Sequence, residues 1–145
     1  MSLINKGDEV LIPTPYWVSY SAMVELAEGV PVFINPDKDS NYKITAQQLD
    51  SAITDKTKML MLNSPNNPSG SVFTEQEYLE FSKVLLKYPN IIIVSDEIYE
   101  HINYGVKSVS FASLPGMYDR TVTVNGISKA YAMTGWRIGY LGAPK

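Results

Sequence analysis

The stretch SKAYAMTGWRIG, Ser128 to Gly139, places a lysine just after the strand-like run Thr121–Val124 and an arginine at position 137. A lone lysine is ordinarily a solvated one, so Lys129 acquires meaning only from its company. That company stands after the other apolar runs. Val10–Ile12 is followed by PTPYW, with Tyr16 and Trp17; Met59–Leu62 by NSPNNPSG, with Asn67; Ile91–Val94 by SDEIY, with Asp96 and Tyr99. Ligands of open α/β sheets bind beyond the carboxyl ends of the parallel strands. An amine, a carboxylate, an amide, a phenol and an indole are therefore expected along one sheet edge. Each group also has a plainer use. NNPSG forms turns, Asp96 suits a cap on the turn after its strand, Tyr16 and Trp17 suit helix packing, and Arg137 suits a strand-edge ion pair. His101, the one histidine, has no ligand-type neighbour in sequence and reads as a surface residue.

One chemistry uses the whole set. A cofactor aldehyde needs a lysine amine, partly unprotonated, to form a Schiff base. A pyridine ring serving as an electron sink needs a carboxylate against its ring nitrogen. A phenolate oxygen on that ring takes neutral donors such as Asn67 and Tyr99. A phosphate tail takes a hydroxyl and a guanidinium, here Ser128 and Arg137, and an indole such as Trp17 stacks on the ring. These are the requirements of pyridoxal phosphate. No metal-ligating cluster is expected, and the absence of GxGxxG and GxxxxGK[ST] argues against the usual dinucleotide and P-loop sites.

The elements that must position these groups follow from periodicity. Val10–Pro13, Val30–Ile34, Lys58–Leu62, Asn90–Val94, Thr121–Val124 and Trp136–Leu141 read as strands. Between them, Tyr16–Glu28 can carry a helix. Thr45 with Gln48 and Thr74 with Glu77 form capping boxes that start two more, the first running to about Ile53. In the second, Tyr78, Phe81, Leu85 and Tyr88 recur at helical spacing. A short helix is predicted around Phe111–Tyr118, and MSLINKGDEV is read as the last turn of a helix closed by Gly7 as its C-cap. The alternation predicts an α/β fold, a mostly parallel, doubly wound sheet with helices on both faces. The sequence has 145 residues, 45% apolar and 19% charged, with net charge −3 and pI about 5.1. That balance fits one globular domain and offers no footprint for nucleic acid or an anionic membrane surface. No apolar run approaches a membrane span, and without cysteine there is no disulfide or thiolate chemistry.

The motifs PTPYWVSY, NSPNNPSG, VSDEIYEHINY and NGISKAYAMTGWRIGY stand in an order and spacing that resemble the class I aminotransferases of pyridoxal phosphate fold type I, most of all the bacterial aspartate aminotransferase branch. The resemblance covers essentially the whole chain. It implies that Lys129 is the Schiff-base lysine and that Asp96 partners the pyridine nitrogen. It further implies that Asn67 and Tyr99 contact the ring hydroxyl, Ser128 and Arg137 bind phosphate, and Trp17 stacks on the ring. Ser69 stands where the family commonly has threonine. The implied activity is amino transfer between an amino acid, aspartate or similar, and a 2-oxo acid, by a cytoplasmic homodimer. A β-lyase or other α-carbon chemistry would use the same ring-binding set, and a non-catalytic α/β binding module is the alternative from another class. Residues 1–145 are read as the cofactor-binding large domain truncated at both ends. The family's upstream glycine-rich phosphate turn, its first sheet strand and its downstream carboxylate-binding arginine lie outside them. The chain alone is accordingly expected to be inactive.

Overall fold

The computed structural model describes residues 2–144. Six strands form one sheet: β1 (Glu9–Pro13), β2 (Val30–Ile34), β3 (Thr57–Asn63), β4 (Ile92–Asp96), β5 (Thr121–Gly126) and β6 (Gly139–Gly142). Their order is β2-β1-β3-β4-β5-β6; the first five are parallel and β6 is antiparallel to β5. Three helices connect them, α1 (Ser19–Leu26), α2 (Ala46–Ala52) and α3 (Glu75–Leu85). The doubly wound, mostly parallel α/β architecture is the one predicted.

Alternate residues of each strand feed different layers, the period-2 signature of a sheet covered on both sides. Val10, Ile12 and Met59 pack with Tyr20 and Val24 of α1 on one face. Leu11, Leu60, Leu62 and Ile93 pack with Leu49, Tyr78, Phe81 and Leu85 of α2 and α3 on the other. Both expected capping boxes form: Thr45 Oγ1 accepts from the Gln48 amide at 3.2 Å, and Thr74 Oγ1 from the Glu77 amide at 3.3 Å. Each fixes the start of a helix whose apolar stripe closes the larger core.

Four local expectations are corrected. Gly7 does take a left-handed φ of +87°, but in a tight turn rather than at a helix end; Met1 lies outside the described residues. The helix over Tyr16–Glu28 is shorter, because its N-cap, Val18, supplies no side-chain cap and Glu28 leaves the helix at φ +60°. Phe111–Tyr118 is not one helix but two single 3₁₀ turns, Phe111–Ser113 and Tyr118–Arg120. Pro115 lacks an N–H to continue the ladder, and Gly116 turns the chain at φ +74°. Trp136–Leu141 is not one strand: Thr134–Trp136 is a 3₁₀ turn, Arg137 is left-handed at φ +54°, and the strand begins at Gly139. Among the described residues no helix is long and apolar enough to cross a membrane.

Candidate active site

Strand order reverses between β1 and β3, since β1 leads to β2 on one side and the remaining parallel strands lie on the other. Crevices form at such switch points, beyond the carboxyl ends of the strands. A cavity of about 280 Å³ opens there, and Trp17, Asn67, Asp96, Tyr99, Ser128, Lys129 and Arg137 all line it. Every site residue read from the sequence therefore converges on one space. The structure adds Tyr20, Asn63 and Thr134 to the polar lining.

The turn after β3 holds Asn67 by its own side chains. Asn63 Oδ1 accepts from the Asn67 amide at 2.8 Å, and Asn63 Nδ2 donates to the Asp96 carbonyl at 3.0 Å, tying this turn to β4. Asn66 Oδ1 takes the Ser69 amide and hydroxyl at 3.1 and 2.8 Å, and Gly70 supplies the left-handed φ of +72° that closes the turn. NNPSG is thus both a turn former and the mount for Asn67, whose Nδ2 donates to the Tyr99 hydroxyl at 3.3 Å. Amide and phenol sit side by side as a neutral donor pair, joined from the ends of two neighbouring strands.

Asp96 is the last residue of β4, paired in register with Asn63 of β3 and Val124 of β5. Its capping role is realised, and its second oxygen is held from another element. Oδ1 caps the following turn by accepting from the Ile98 amide at 3.1 Å. Oδ2 accepts from the Tyr20 hydroxyl of α1 at 2.5 Å. Burial, and next the Asp96 carboxylate beside it, push the Tyr20 phenol far above its ordinary pKa. Tyr20 therefore remains a donor. The sequence reading missed it; its spacing of three from Trp17 on one helical turn was the available signal.

Trp17 is 44% exposed and meets Tyr20 edge to face, ring centroids 5.5 Å apart and planes at 90°. Its indole is not core, unlike Tyr16, which stacks on Phe33 at 5.2 Å. After β5 the chain makes a turn over Ser128–Tyr131, closed by the Ala132 amide on the Lys129 carbonyl at 3.2 Å. Lys129 Nζ lies 5.9 Å from the Tyr99 ring centroid and makes no hydrogen bond or ion pair with a described residue. Arg137 follows the Thr134–Trp136 turn, where its Nη1 donates to the Thr134 carbonyl at 3.1 Å. Among the described residues Arg137 forms no strand-edge ion pair of the kind its position suggested, because it lies in the connection and not in β6. His101 is exposed and stands 3.4 Å from Glu100, away from the cavity lining.

The residue just after β4 points the opposite way. Glu97 is buried, and its Oε1 accepts from Ser95 Oγ, Ser110 Oγ and the Phe111 amide at 2.9, 3.0 and 3.1 Å. Burial raises its pKa despite these donors. It anchors the 97–111 loop against the larger core rather than serving the cavity.

Parallel strands offering an amine, a carboxylate, a donor pair and an indole at a switch point define a cofactor-type α/β site. The chain belongs to the class I and II aminotransferase family, whose sequence model matches residues 1–145. It is 52% identical over 147 residues to the aspartate aminotransferase of Rhizobium meliloti, covering 100% of this chain and 36% of that protein. It is 53% identical over 142 residues to a probable aspartate/prephenate aminotransferase of Rickettsia bellii (strain RML369-C), covering 97% and 36%. The crystal structure of the aspartate aminotransferase from Rhizobium meliloti superposes with a TM-score of 0.94 at 51% identity, over 97% of this chain and 36% of that one. The chain thus spans a little over a third of the length of the relatives it matches. The family uses pyridoxal phosphate.

The donor set fits that group. The free amine of Lys129 suits an aldehyde and the Asp96 carboxylate a protonated ring nitrogen. The Asn67–Tyr99 pair suits an anionic ring oxygen, and the hydroxyl and guanidinium of Ser128 and Arg137 suit a phosphate.

Proposed function

We propose that residues 1–145 are the cofactor-binding large-domain segment of a pyridoxal-phosphate-dependent aminotransferase, one that moves an amino group between an amino acid, aspartate or similar, and a 2-oxo acid. The observation that carries this reading is the convergence of seven residues from four separate turns on one cavity. Bound pyridoxal phosphate supplies an aldehyde that captures amines and a cationic ring that takes up electron density.

The rest is done by the chain. Lys129 offers its unpaired Nζ as the amine that holds the cofactor. With the cofactor and substrate bound, the same nitrogen would be the chain's base for the substrate Cα proton. Proton transfer of this kind contributes about 10²–10⁴-fold. Asp96 would hold the ring nitrogen protonated, Asn67 and Tyr99 would donate to the ring oxygen, and Trp17 would stack on the ring. Ser128 and Arg137 would hold the phosphate, so cofactor affinity would depend on an exposed guanidinium and on salt. The family resemblance supports a cytoplasmic homodimer for the whole protein.

The test is chemical. Pyridoxal phosphate is added to the purified chain, the adduct is reduced with borohydride, and peptides are mapped by mass. A pyridoxyl group concentrated on Lys129 supports the assignment; labelling spread evenly over the lysines refutes it.

A further inference from the structure

The contact between α1 and β4 extends the reading just given, on which this inference rests. Tyr20 is 5% exposed, and its hydroxyl reaches Asp96 Oδ2 at 2.5 Å. We propose that Tyr20 is a positioning residue, whose buried phenol aims the Asp96 carboxylate into the cavity and so biases a proton shared with a pyridine nitrogen there towards the ring.

Three observations carry the proposal. The two oxygens of Asp96 are held from different elements, Oδ1 by the Ile98 amide of its own turn and Oδ2 by Tyr20 of α1, so the carboxylate plane is fixed at both ends. The direction of the bond from Tyr20 is settled, because burial and the adjacent carboxylate keep the phenol protonated. The Tyr20 ring also meets the Trp17 indole edge to face, so one side chain sets both the carboxylate and the indole. The other titratable groups lining this space are Tyr99 from the turn after β4 and Lys129 and Arg137 from the connection after β5. Tyr20 is thus the one titratable group that α1 itself places in this lining. Glu97 faces the opposite side of the sheet.

Donation to a carboxylate favours its charged form. Where a proton is shared between a pyridine nitrogen and Asp96, the phenol therefore biases that proton towards the ring. Removing the hydroxyl shifts it towards the carboxylate. A hydrogen bond to a charged group changes such a partition by about 13- to 160-fold.

Two measurements test this. In the cofactor-free chain, the Tyr20 hydroxyl proton should give a resonance downfield of the amides that is lost in Tyr20→Phe and in Asp96→Asn. Its persistence in Asp96→Asn would overturn the pairing, and that near-isosteric variant serves if Tyr20→Phe fails to fold. With ring-¹⁵N pyridoxal phosphate bound, the nitrogen signal should show a protonated ring in the wild type and a shift towards the unprotonated ring in Tyr20→Phe, which keeps the edge contact with Trp17. Equal protonation in the two proteins would overturn the proposed role. A wild-type chain that takes up no pyridoxal phosphate would refute the cofactor reading instead, and the hydroxyl resonance would still decide the pairing.

Discussion

Replacing Asp96 by asparagine should weaken pyridoxal phosphate binding far more than replacing Asn67 by alanine. The two residues are both half-buried and line the same cavity. Asn67 offers one neutral amide, already shared with the Tyr99 hydroxyl at 3.3 Å. Losing a neutral hydrogen bond costs about 0.5–1.5 kcal/mol, or roughly 2- to 13-fold in affinity, and Tyr99 remains as a donor. Asp96 offers a charge. A hydrogen bond to a charged group contributes about 1.5–3 kcal/mol, roughly 13- to 160-fold. The asparagine amide also cannot hold a pyridine nitrogen protonated, while its single oxygen can still accept from the Ile98 amide and keep the turn cap, leaving the Tyr20 hydroxyl without its acceptor. Equilibrium titration of the purified variants with pyridoxal phosphate at low salt, followed by absorbance and closed by borohydride mapping of Lys129, gives both numbers. Equal losses, or a larger loss in Asn67→Ala, would show that Asp96 serves only its turn and that the cavity does not bind the ring as proposed.

Arg137→Met should lower affinity for pyridoxal phosphate by about 10-fold or more at low salt and flatten its salt dependence, while leaving affinity for pyridoxal, which lacks the phosphate, unchanged. An equal loss for both compounds would remove the phosphate from the role of this guanidinium. Glu97→Gln should change how stability varies with pH. Burial raises the Glu97 pKa in the folded chain, so the folded state holds a proton that the unfolded chain releases near pH 4.3. The wild type therefore loses stability relative to the variant as pH rises from that value through the raised one. Urea unfolding of both proteins across this range measures it, and parallel stability curves would show that Glu97 does not titrate in that window.

What the sequence showed and what it hid divide along a physical line. Residues next to strand ends were legible because strand periodicity and parallel topology together place them at one edge. Trp17, Asn67, Asp96, Tyr99, Ser128 and Lys129 all arrive there by that rule alone. Thr45 and Thr74 were legible because capping is local chemistry. Arg137 was placed in the right cavity but on the wrong element. Its left-handed backbone belongs to a connection whose shape depends on tertiary packing, which an apolar run cannot report. Tyr20 was hidden for the complementary reason: its ring packs in a helix like any core aromatic, and only its hydroxyl, aimed across to β4, does more. The helix over Phe111–Tyr118 failed at Pro115 and Gly116, a break visible in the sequence but outweighed by the apolar spacing around it.

The last residue of β4 and the one after it set two carboxylates back to back, Asp96 turned to the cavity and Glu97 turned to the larger core. Adjacent positions on a strand cannot both face the same way, so a shift of β4 by one residue would trade them. The cavity would then receive a side chain that had left its Ser110 and Phe111 donors behind, and the interior would receive a carboxylate cut off from Tyr20. Loop insertions between the elements leave this arrangement intact, whereas a single deletion inside β4 exchanges an anchor for a reagent. The interior of this strand should therefore be the least permissive stretch of the chain to changes in length, even where changes in side chain are tolerated.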